Sequence, residues 1–280
     1  MTEEEERRRV RQGYAGIAQK QSSCCDHSTS YEASKKMGYS KEDLDAVPEG
    51  ANMNLGCGNP VALASLKEGE TVIDLGSGGG FDCFLAGKKV GQRGKVIGVD
   101  MTPEMIDKAR ENARKGEYTN VEFRLGEIEN LPVADNTADV IISNCVINLT
   151  PNKKRVFQEA FRVLKSGGRL MVSDLVLLKE LPEAVKKGMD STSCITGAMM
   201  KNKYMEIIKT VGFENVRIIQ EKRYCSDDFE DDPDAEVLTF NPKTNATETK
   251  KVSQLDEKAK QRMKETLEAI LSINVSAIKP

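Results

Sequence analysis

One run of nine residues, VIDLGSGGG at 72–80, constrains the fold of this 280-residue chain more than any other part of the sequence. An apolar strand pattern passes directly into a glycine-rich loop, and a helix pattern begins at Phe81. Glycine lets a ligand approach the backbone closely, and amide groups at the start of a helix point toward that ligand. The run therefore predicts a ligand site where a strand passes into a helix.

The alternation of short β-branched runs and longer helix patterns continues beyond this loop. Strand patterns fall at 71–75, 95–100, 121–125, 138–143 and 168–175, and helix patterns at 81–90, 103–115 and 152–163. Such alternation implies right-handed crossovers and a parallel sheet that is covered on both faces. We therefore predict an α/β fold with a doubly wound, mostly parallel sheet.

The residues of the glycine loop narrow the choice of cofactor. A dinucleotide fingerprint requires a glycine five places after Gly76, where this chain has Phe81. Asp74 would repel a pyrophosphate, whereas it would attract the sulfonium and ammonium groups of S-adenosylmethionine. These features favour S-adenosylmethionine over NAD.

Acidic residues at the strand ends extend the predicted cofactor site. Asp100 ends the second strand, where a carboxylate can accept both ribose hydroxyls, and Met101 is expected to lie against the adenine. Glu127, just after the third strand, is expected to contact the adenine edge. The full set of predicted cofactor contacts is Asp74, Gly76, Ser77, Gly78, Gly80, Asp100, Met101, Glu127, Ile128 and Asn144.

Later patterns complete the predicted domain organisation. A helix at 203–211, a strand at 216–221, a helix at 257–271 and a strand at 273–278 are expected, with an acidic loop at 227–234. The last strand would be the antiparallel seventh strand of a class I methyltransferase sheet. We expect an N-terminal arm over 1–50, mobile or loosely docked, a cofactor-binding domain over 51–221 and an extension over 222–280.

Composition excludes several functions. Lysine and arginine number 41 against 44 acidic residues, so no basic face favours nucleic acid. Since no apolar run approaches the roughly 20 residues that span a bilayer, we expect no membrane partner and a cytoplasmic location. Seven cysteines are an odd number in a chain too large to need disulfide staples. Reduced, functional thiols are favoured.

The sequence resembles the arsenite methyltransferase family over about residues 54–212. The resemblance is carried by GCG at 56–58, by 74–80 continuing into FDC, by SNCVINL at 143–149 and by CITGA at 194–198. The third string is the most specific, because most small-molecule methyltransferases place other residues after the fourth strand.

The resemblance implies which thiols bind the substrate. In the family three cysteines bind trivalent arsenic, and they match Cys57, Cys145 and Cys194. A fourth, N-terminal cysteine serves as a redox partner, and either of the adjacent Cys24 and Cys25 could correspond to it. Arsenite and methylated arsenicals are the expected substrates and products. Thioredoxin or a small thiol would reduce any disulfide formed during turnover.

The chemistry of thiolates agrees with this resemblance. Soft thiolates select soft centres, and three of them would leave a lone pair on the arsenic that can attack a methyl group. An oxygen or nitrogen nucleophile usually needs a general base, and the only histidine that could serve as one is His27. Arsenic bound by three thiolates needs no such base. Cys83, among apolar residues of a helix, is interpreted as core packing, and Cys225 as incidental.

Two other functions share some of these features. A carbon or oxygen methyltransferase of the quinone-biosynthesis type would have the same cofactor fold, but its activity would survive the loss of Cys57 and Cys194. A protein that only sequesters or senses metalloids would use the thiols without methyl transfer. The intact loop at 74–80 together with Asp100 argues against that second alternative.

Overall fold

The computed structural model of the chain describes residues 2–20, 34–35, 39–53, 55–56, 65–181, 193–223, 236–241 and 246–280. Cys24, Cys25, Cys57, Cys225 and the predicted acidic loop at 227–234 lie outside these residues. Within the described part, no helix is both long enough and apolar enough to cross a membrane.

Seven of the described strands form one sheet, which confirms the predicted fold. The order is β3-β2-β1-β4-β5-β9-β6, and β9 runs antiparallel to both of its neighbours. Strands β7 and β8 pair separately as an antiparallel hairpin that the sequence did not predict. The strands are β1 Thr71–Leu75, β2 Lys95–Asp100, β3 Val121–Leu125, β4 Ala138–Asn144, β5 Leu164–Leu177, β6 Glu214–Arg223, β7 Glu236–Asn241, β8 Ala246–Lys251 and β9 Ile270–Ile278.

Helices connect the strands close to the predicted positions. Pro103 occupies the first turn of the helix after β2, and the Asn152 side chain accepts from the Arg155 amide to cap the helix after β4. The described helices are α1 Glu3–Lys20, α2 Lys41–Asp45, α3 Phe81–Val90, α4 Pro103–Lys115, α5 Lys153–Val163, α6 Lys201–Val211 and α7 Glu257–Ala269. Helix α7 ends earlier than expected, because β9 already begins at Ile270 and pairs there with Leu177.

The sheet is buried on both faces, as its continuous apolar strands require. Ile73, Leu75 and Ile141 belong to the core on one face, while Val72 and Val140 belong to the core on the other. Since both faces are covered, the open carboxyl ends of the strands are where a ligand can bind in such a sheet.

Helix α1 differs from the mobile or loosely docked arm that the sequence predicted. Val10 is only 1% exposed, and Ala18 packs with Met53 and Met105 of α4. The signal was present, because Val10, Tyr14 and Ala18 recur every four residues on one helix face. This apolar pattern is short and lies among charged residues, so the segment resembled a polar arm that does not pack on the domain.

Candidate active site

A cavity lies at the carboxyl ends of β1, β2 and β4, with α1 forming part of its wall. Most of the predicted cofactor contacts are brought together there. The predicted residues that line the cavity are Asp74, Gly76, Ser77, Gly78, Asp100, Met101, Ile128, Asn144 and Cys145. Sequence reasoning missed other lining residues, among them Val10, Tyr14, Tyr39, Asp82, Thr102 and Glu129.

Among the predicted site residues that the structure describes, three do not line the cavity: Gly80, Glu127 and Cys194. Gly80 has a φ of 94° and precedes α3, and a Cβ there would lie 2.7 Å from Phe123 and 2.8 Å from Phe84. Close packing behind the loop therefore requires a glycine at this position, and the expected contact of Gly80 with the cofactor remains a prediction.

The glycine loop is held by backbone hydrogen bonds to the neighbouring strand. The amides of Gly76 and Ser77 both donate to the carbonyl of Val99, at 2.8 and 3.0 Å. The Ser77 hydroxyl is buried and has no hydrogen-bond partner among the described residues. A buried, unpartnered hydroxyl in a cavity wall is available to a ligand.

Gly76→Ala is expected to destabilise the fold by about 2–4 kcal/mol, because strain at positive φ adds to a steric clash. Gly76 has a φ of 71°, and a Cβ there would lie 2.4 Å from Val146. Gly69→Ala is the matched control, since Gly69 has a φ of 86° but nothing within 4 Å of its Cβ position. Chemical denaturation measures both variants. Equal losses for the two would contradict the close approach of Gly76 to Val146.

Asp100 is fixed by two backbone amides. Its Oδ2 accepts from Gly78 at 3.0 Å and its Oδ1 accepts from Thr102 at 2.8 Å. Burial raises the pKa of this carboxyl, and the amides of Thr102 and Gly78 oppose that rise. The carboxylate therefore has one orientation at the end of β2, in the cavity wall.

Two further buried acids lie beside each other behind the loop. Asp82 accepts from the Tyr39 hydroxyl at 2.7 Å and from Asn144 Nδ2 at 3.1 Å, and burial raises its pKa to about 6. Asp74 accepts from the Cys83 thiol at 3.2 Å, and its pKa is raised by burial and then by the charge of Asp82. A cationic ligand in this cavity would relieve the mutual repulsion of the two acids.

Glu127 faces α1 and not the cavity. Arg11 donates to Glu127 at 3.2 Å, and Arg7 lies 3.7 Å from the same carboxylate. Arg7 also reaches Glu129, at 3.4 Å, and Glu129 does line the cavity. The pairing follows from the packing of α1, which the sequence analysis did not anticipate, so the expected contact of Glu127 with the adenine edge remains a prediction.

Tyr14 of α1 connects the cofactor end of the cavity with the thiol region. It lines the cavity, and its pKa is raised by burial and then by the nearby Cys194 and Asp100. The hydroxyl of Tyr14 thus lies near both a predicted arsenic ligand and the predicted ribose ligand. Helix α1 therefore closes the cavity where the two regions meet.

The described cysteines have three different environments. Cys145 is 4% exposed, lines the cavity and has a φ of 64°, in the left-handed region. It is disulfide-bonded, whereas Cys83 and Cys194 form no disulfide. Cys83 is buried in the core as expected. The bond at Cys145 differs from the expectation of reduced thiols.

Cys194 lies in a loop between β5 and α6. Burial and then the charge of Asp174 raise the pKa of its thiol to about 12, while the amides of Cys194 and Ile195 oppose the rise. Within the described residues, no group of three His, Cys, Asp or Glu side chains converges as a metal site. A third thiol would have to come from outside those residues.

The segment at 144–148 is contacted by glycines from two other loops. A Cβ on Gly56 would lie 2.6 Å from Asn144 Nδ2, and a Cβ on Gly197 would lie 1.8 Å from the Asn148 carbonyl oxygen. Gly56 precedes Cys57 in the chain, and Gly197 follows Cys194 by three residues. Each loop that carries a predicted arsenic ligand therefore approaches the segment that carries Cys145.

Comparison with known proteins agrees with this geometry. A family model described as a methyltransferase domain matches residues 66–212, slightly more than half of the chain. The arsenite methyltransferase of Halobacterium salinarum is 49% identical over 230 residues, which are 77% of this chain and 59% of that protein. The crystal structure of an arsenic(III) S-adenosylmethionine methyltransferase from Chlamydomonas reinhardtii matches with a TM-score of 0.61 and 30% identity, over 88% of this chain and 73% of that one.

The chain belongs to the arsenite methyltransferase family. It spans about 59% of the length of the Halobacterium relative, so this member of the family is matched over only part of that protein. A quinone-biosynthesis C-methyltransferase from Salmonella arizonae is 31% identical over 179 residues, which are 64% of this chain. The Halobacterium arsenite methyltransferase is thus the better match in identity and in the share of this chain that is covered.

Proposed function

We propose that this chain transfers the methyl group of S-adenosylmethionine to trivalent arsenic bound by Cys57, Cys145 and Cys194. The observation that carries the proposal is the close approach of Gly56 to Asn144, the last residue of β4, and of Gly197 to Asn148 just beyond it. These contacts support the convergence of three cysteine loops beside one cavity. The 49% identity to an arsenite methyltransferase supports the same reaction.

The residues of the cavity suit S-adenosylmethionine. The buried Ser77 hydroxyl awaits a partner, and Asp100 lies where a strand-end carboxylate can accept ribose hydroxyls. Asp74 and Asp82 line the same cavity, and a cationic ligand there would oppose the rise of their pKa values and favour their charged forms. When bound, the cofactor supplies an electrophilic methyl group on a sulfonium.

The protein's part in the reaction is to present arsenic with its lone pair directed at that methyl group. Three cysteine thiols would satisfy the three valences of arsenite: each sulfur would bond to arsenic as a thiolate, and its proton would leave with one hydroxyl as water. The lone pair then forms the arsenic–carbon bond while the sulfur–carbon bond breaks and its electron pair stays on sulfur. No proton is removed in this step, which suits a chain with one histidine.

A thiol reductant belongs to the proposal. Methylation formally oxidises arsenic from three to five, so two electrons must return before another methyl group can be added. The disulfide at Cys145 must also be opened before that sulfur can bind arsenic. We propose thioredoxin or a small thiol as the electron donor and the reducing cytoplasm as the location. Cys24 or Cys25 would take part in the exchange.

The deciding experiment measures S-adenosylhomocysteine formation with arsenite and a thiol reductant. We expect formation that requires both arsenite and the reductant. A double variant that lacks Cys57 and Cys194 serves as the comparison. Methyl transfer to a quinone precursor by that double variant would instead support the quinone-biosynthesis alternative.

Asp100→Ala is expected to weaken S-adenosylmethionine binding by about 1–3 kcal/mol, because charge-assisted hydrogen bonds to the ribose are lost. Isothermal titration calorimetry measures the change. Asp107→Ala is the control, since Asp107 is an exposed aspartate on the following helix. Thermal unfolding of both variants shows whether the amides of Gly78 and Thr102 tolerate the loss of their acceptor. Unchanged affinity in a folded Asp100→Ala protein would rule out the ribose assignment.

A further inference from the structure

Asn148 is held in place from the neighbouring strand. It belongs to a short 3-10 helix, Ile147–Leu149, directly after the Cys145 turn, and it is 2% exposed. Its Nδ2 donates to Asp174 Oδ1 and to the Leu175 carbonyl, both at 2.7 Å. A buried side chain with two short hydrogen bonds to β5 has one position.

Asp174 accepts most of the hydrogen bonds that hold this arrangement together. It is fully buried in β5, where it also accepts from the Leu175 amide at 3.0 Å and from the Tyr204 hydroxyl at 3.1 Å. Lys153 donates to the Asn148 carbonyl at 3.4 Å and adds positive charge nearby. This buried network holds no cavity-lining residue, so cofactor binding does not explain it.

The Cys194 loop rests on this network. Gly197 lies so close to the Asn148 carbonyl oxygen that a Cβ would come within 1.8 Å of it. The loop is tied to β5 on its other side, because the Leu177 amide donates to the Met199 carbonyl at 2.9 Å. The position of the Cys194 loop is therefore determined by two contacts. One is with β5, and the other is with Asn148, which lies on the same segment as Cys145.

We propose that Asn148, held by Asp174, is the positioning residue that sets where Cys194 lies relative to Cys145. The inference rests on the proposed function, in which both sulfurs bind one arsenic atom. Arsenic–sulfur bonds require both thiolates within bonding distance of the same centre, so a displaced Cys194 loop would lose a ligand. The string SNCVINL thus contains one proposed arsenic ligand, Cys145, and the residue that positions another, Asn148.

A swap of the two side chains tests the proposal. Asn148→Asp places two carboxyl groups in contact and is expected to raise the KM for arsenite by about 10-fold or more. Asp174→Asn in the same protein restores a donor and an acceptor between the two positions, and the double variant is expected to recover part of the loss, because the Leu175 carbonyl still lacks its donor. The affinity for S-adenosylmethionine should stay within about 2-fold in all three variants.

Asn152→Asp is the matched control for the change from amide to acid. Asn152 is four residues away, caps α5 through its side-chain oxygen, and would keep that role as aspartate. Its KM for arsenite should be unchanged. Gly197→Ala is a second route to the same displacement, since its Cβ would clash with the Asn148 carbonyl while the side chains of the buried network stay unchanged. It should raise the KM for arsenite as well.

The outcomes separate the inference from the function on which it rests. Cys194→Ser with normal arsenite binding would overturn the three-thiolate site itself. If Cys194→Ser loses arsenite binding while Gly197→Ala and folded Asn148→Asp keep a normal KM, the positioning role alone is overturned. If Asn148→Asp does not fold, Gly197→Ala decides the matter. Equal losses of arsenite and S-adenosylmethionine binding would indicate a merely structural network and would also overturn the proposal.

Discussion

Replacing Cys145 by serine is expected to lower the rate of arsenite methylation by about 100-fold or more, because at most two soft ligands remain for arsenic. Cys145 directly follows β4 and lies buried in the cavity wall, so its sulfur is anchored at the end of a strand. Serine is nearly isosteric with cysteine and also adopts positive φ at similar cost. The variant should therefore fold normally, and its affinity for the cofactor should change by no more than a few fold.

The measurement is S-adenosylhomocysteine formation under reducing conditions, with cofactor affinity determined separately by calorimetry. Cys194→Ser should behave in the same way. Cys225→Ser is the matched control, since the sequence assigns that thiol no role, and it should retain normal turnover. A Cys145→Ser or Cys194→Ser protein with near-normal arsenite turnover would show that the three-thiolate site is wrong.

Replacing Cys57 by serine is expected to affect the methylation of two substrates, arsenite and monomethylarsenite, to different degrees. Inorganic arsenite offers three valences to thiolates, whereas monomethylarsenite has one valence taken by carbon and binds only two. The third thiol should be required for the first methylation and dispensable for a later one. Cys145 is anchored at a strand end, and we expect Cys57 to be the dispensable ligand because Cys24 or Cys25 would draw it into a transient disulfide.

Turnover of Cys57→Ser with arsenite and with monomethylarsenite measures this division. We expect arsenite methylation to fall by about 100-fold and monomethylarsenite methylation to stay within a few fold of the unmodified chain. Each substrate is assayed alongside Cys145→Ser, which should lose both activities. Equal losses of both activities in Cys57→Ser would contradict the division of labour.

The central fold could be predicted closely because its signals are local. Strand β1, the glycine loop and α3 follow from adjacent residues: an apolar run, glycines at positive φ, and a helix pattern. The bounds of β2, β3 and α4 agree with the sequence prediction for the same reason. Buried parallel strands have continuous apolar runs that loops do not share.

The parts that the sequence analysis missed depend on contacts between distant residues. Tyr39 reaches Asp82 and Asn144 only because the chain before β1 folds back over the loop, and no periodic pattern announces such a return. The pairing of Glu127 with the arginines of α1 was not anticipated either, because α1 was expected to be loosely docked. Local propensity cannot rank two possible partners of one carboxylate, since tertiary packing decides between them.

The position of β9 has a consequence for the synthesis of the protein. Ile270–Ile278 pairs with β5 on one side and β6 on the other, although both partners precede it by many residues. A nascent chain that has not yet emerged past Ile278 leaves the backbone groups of both strands unpaired in the middle of the future sheet. Such edges favour association with other chains, so stalled or truncated translation products should depend on chaperones far more than the finished sheet does.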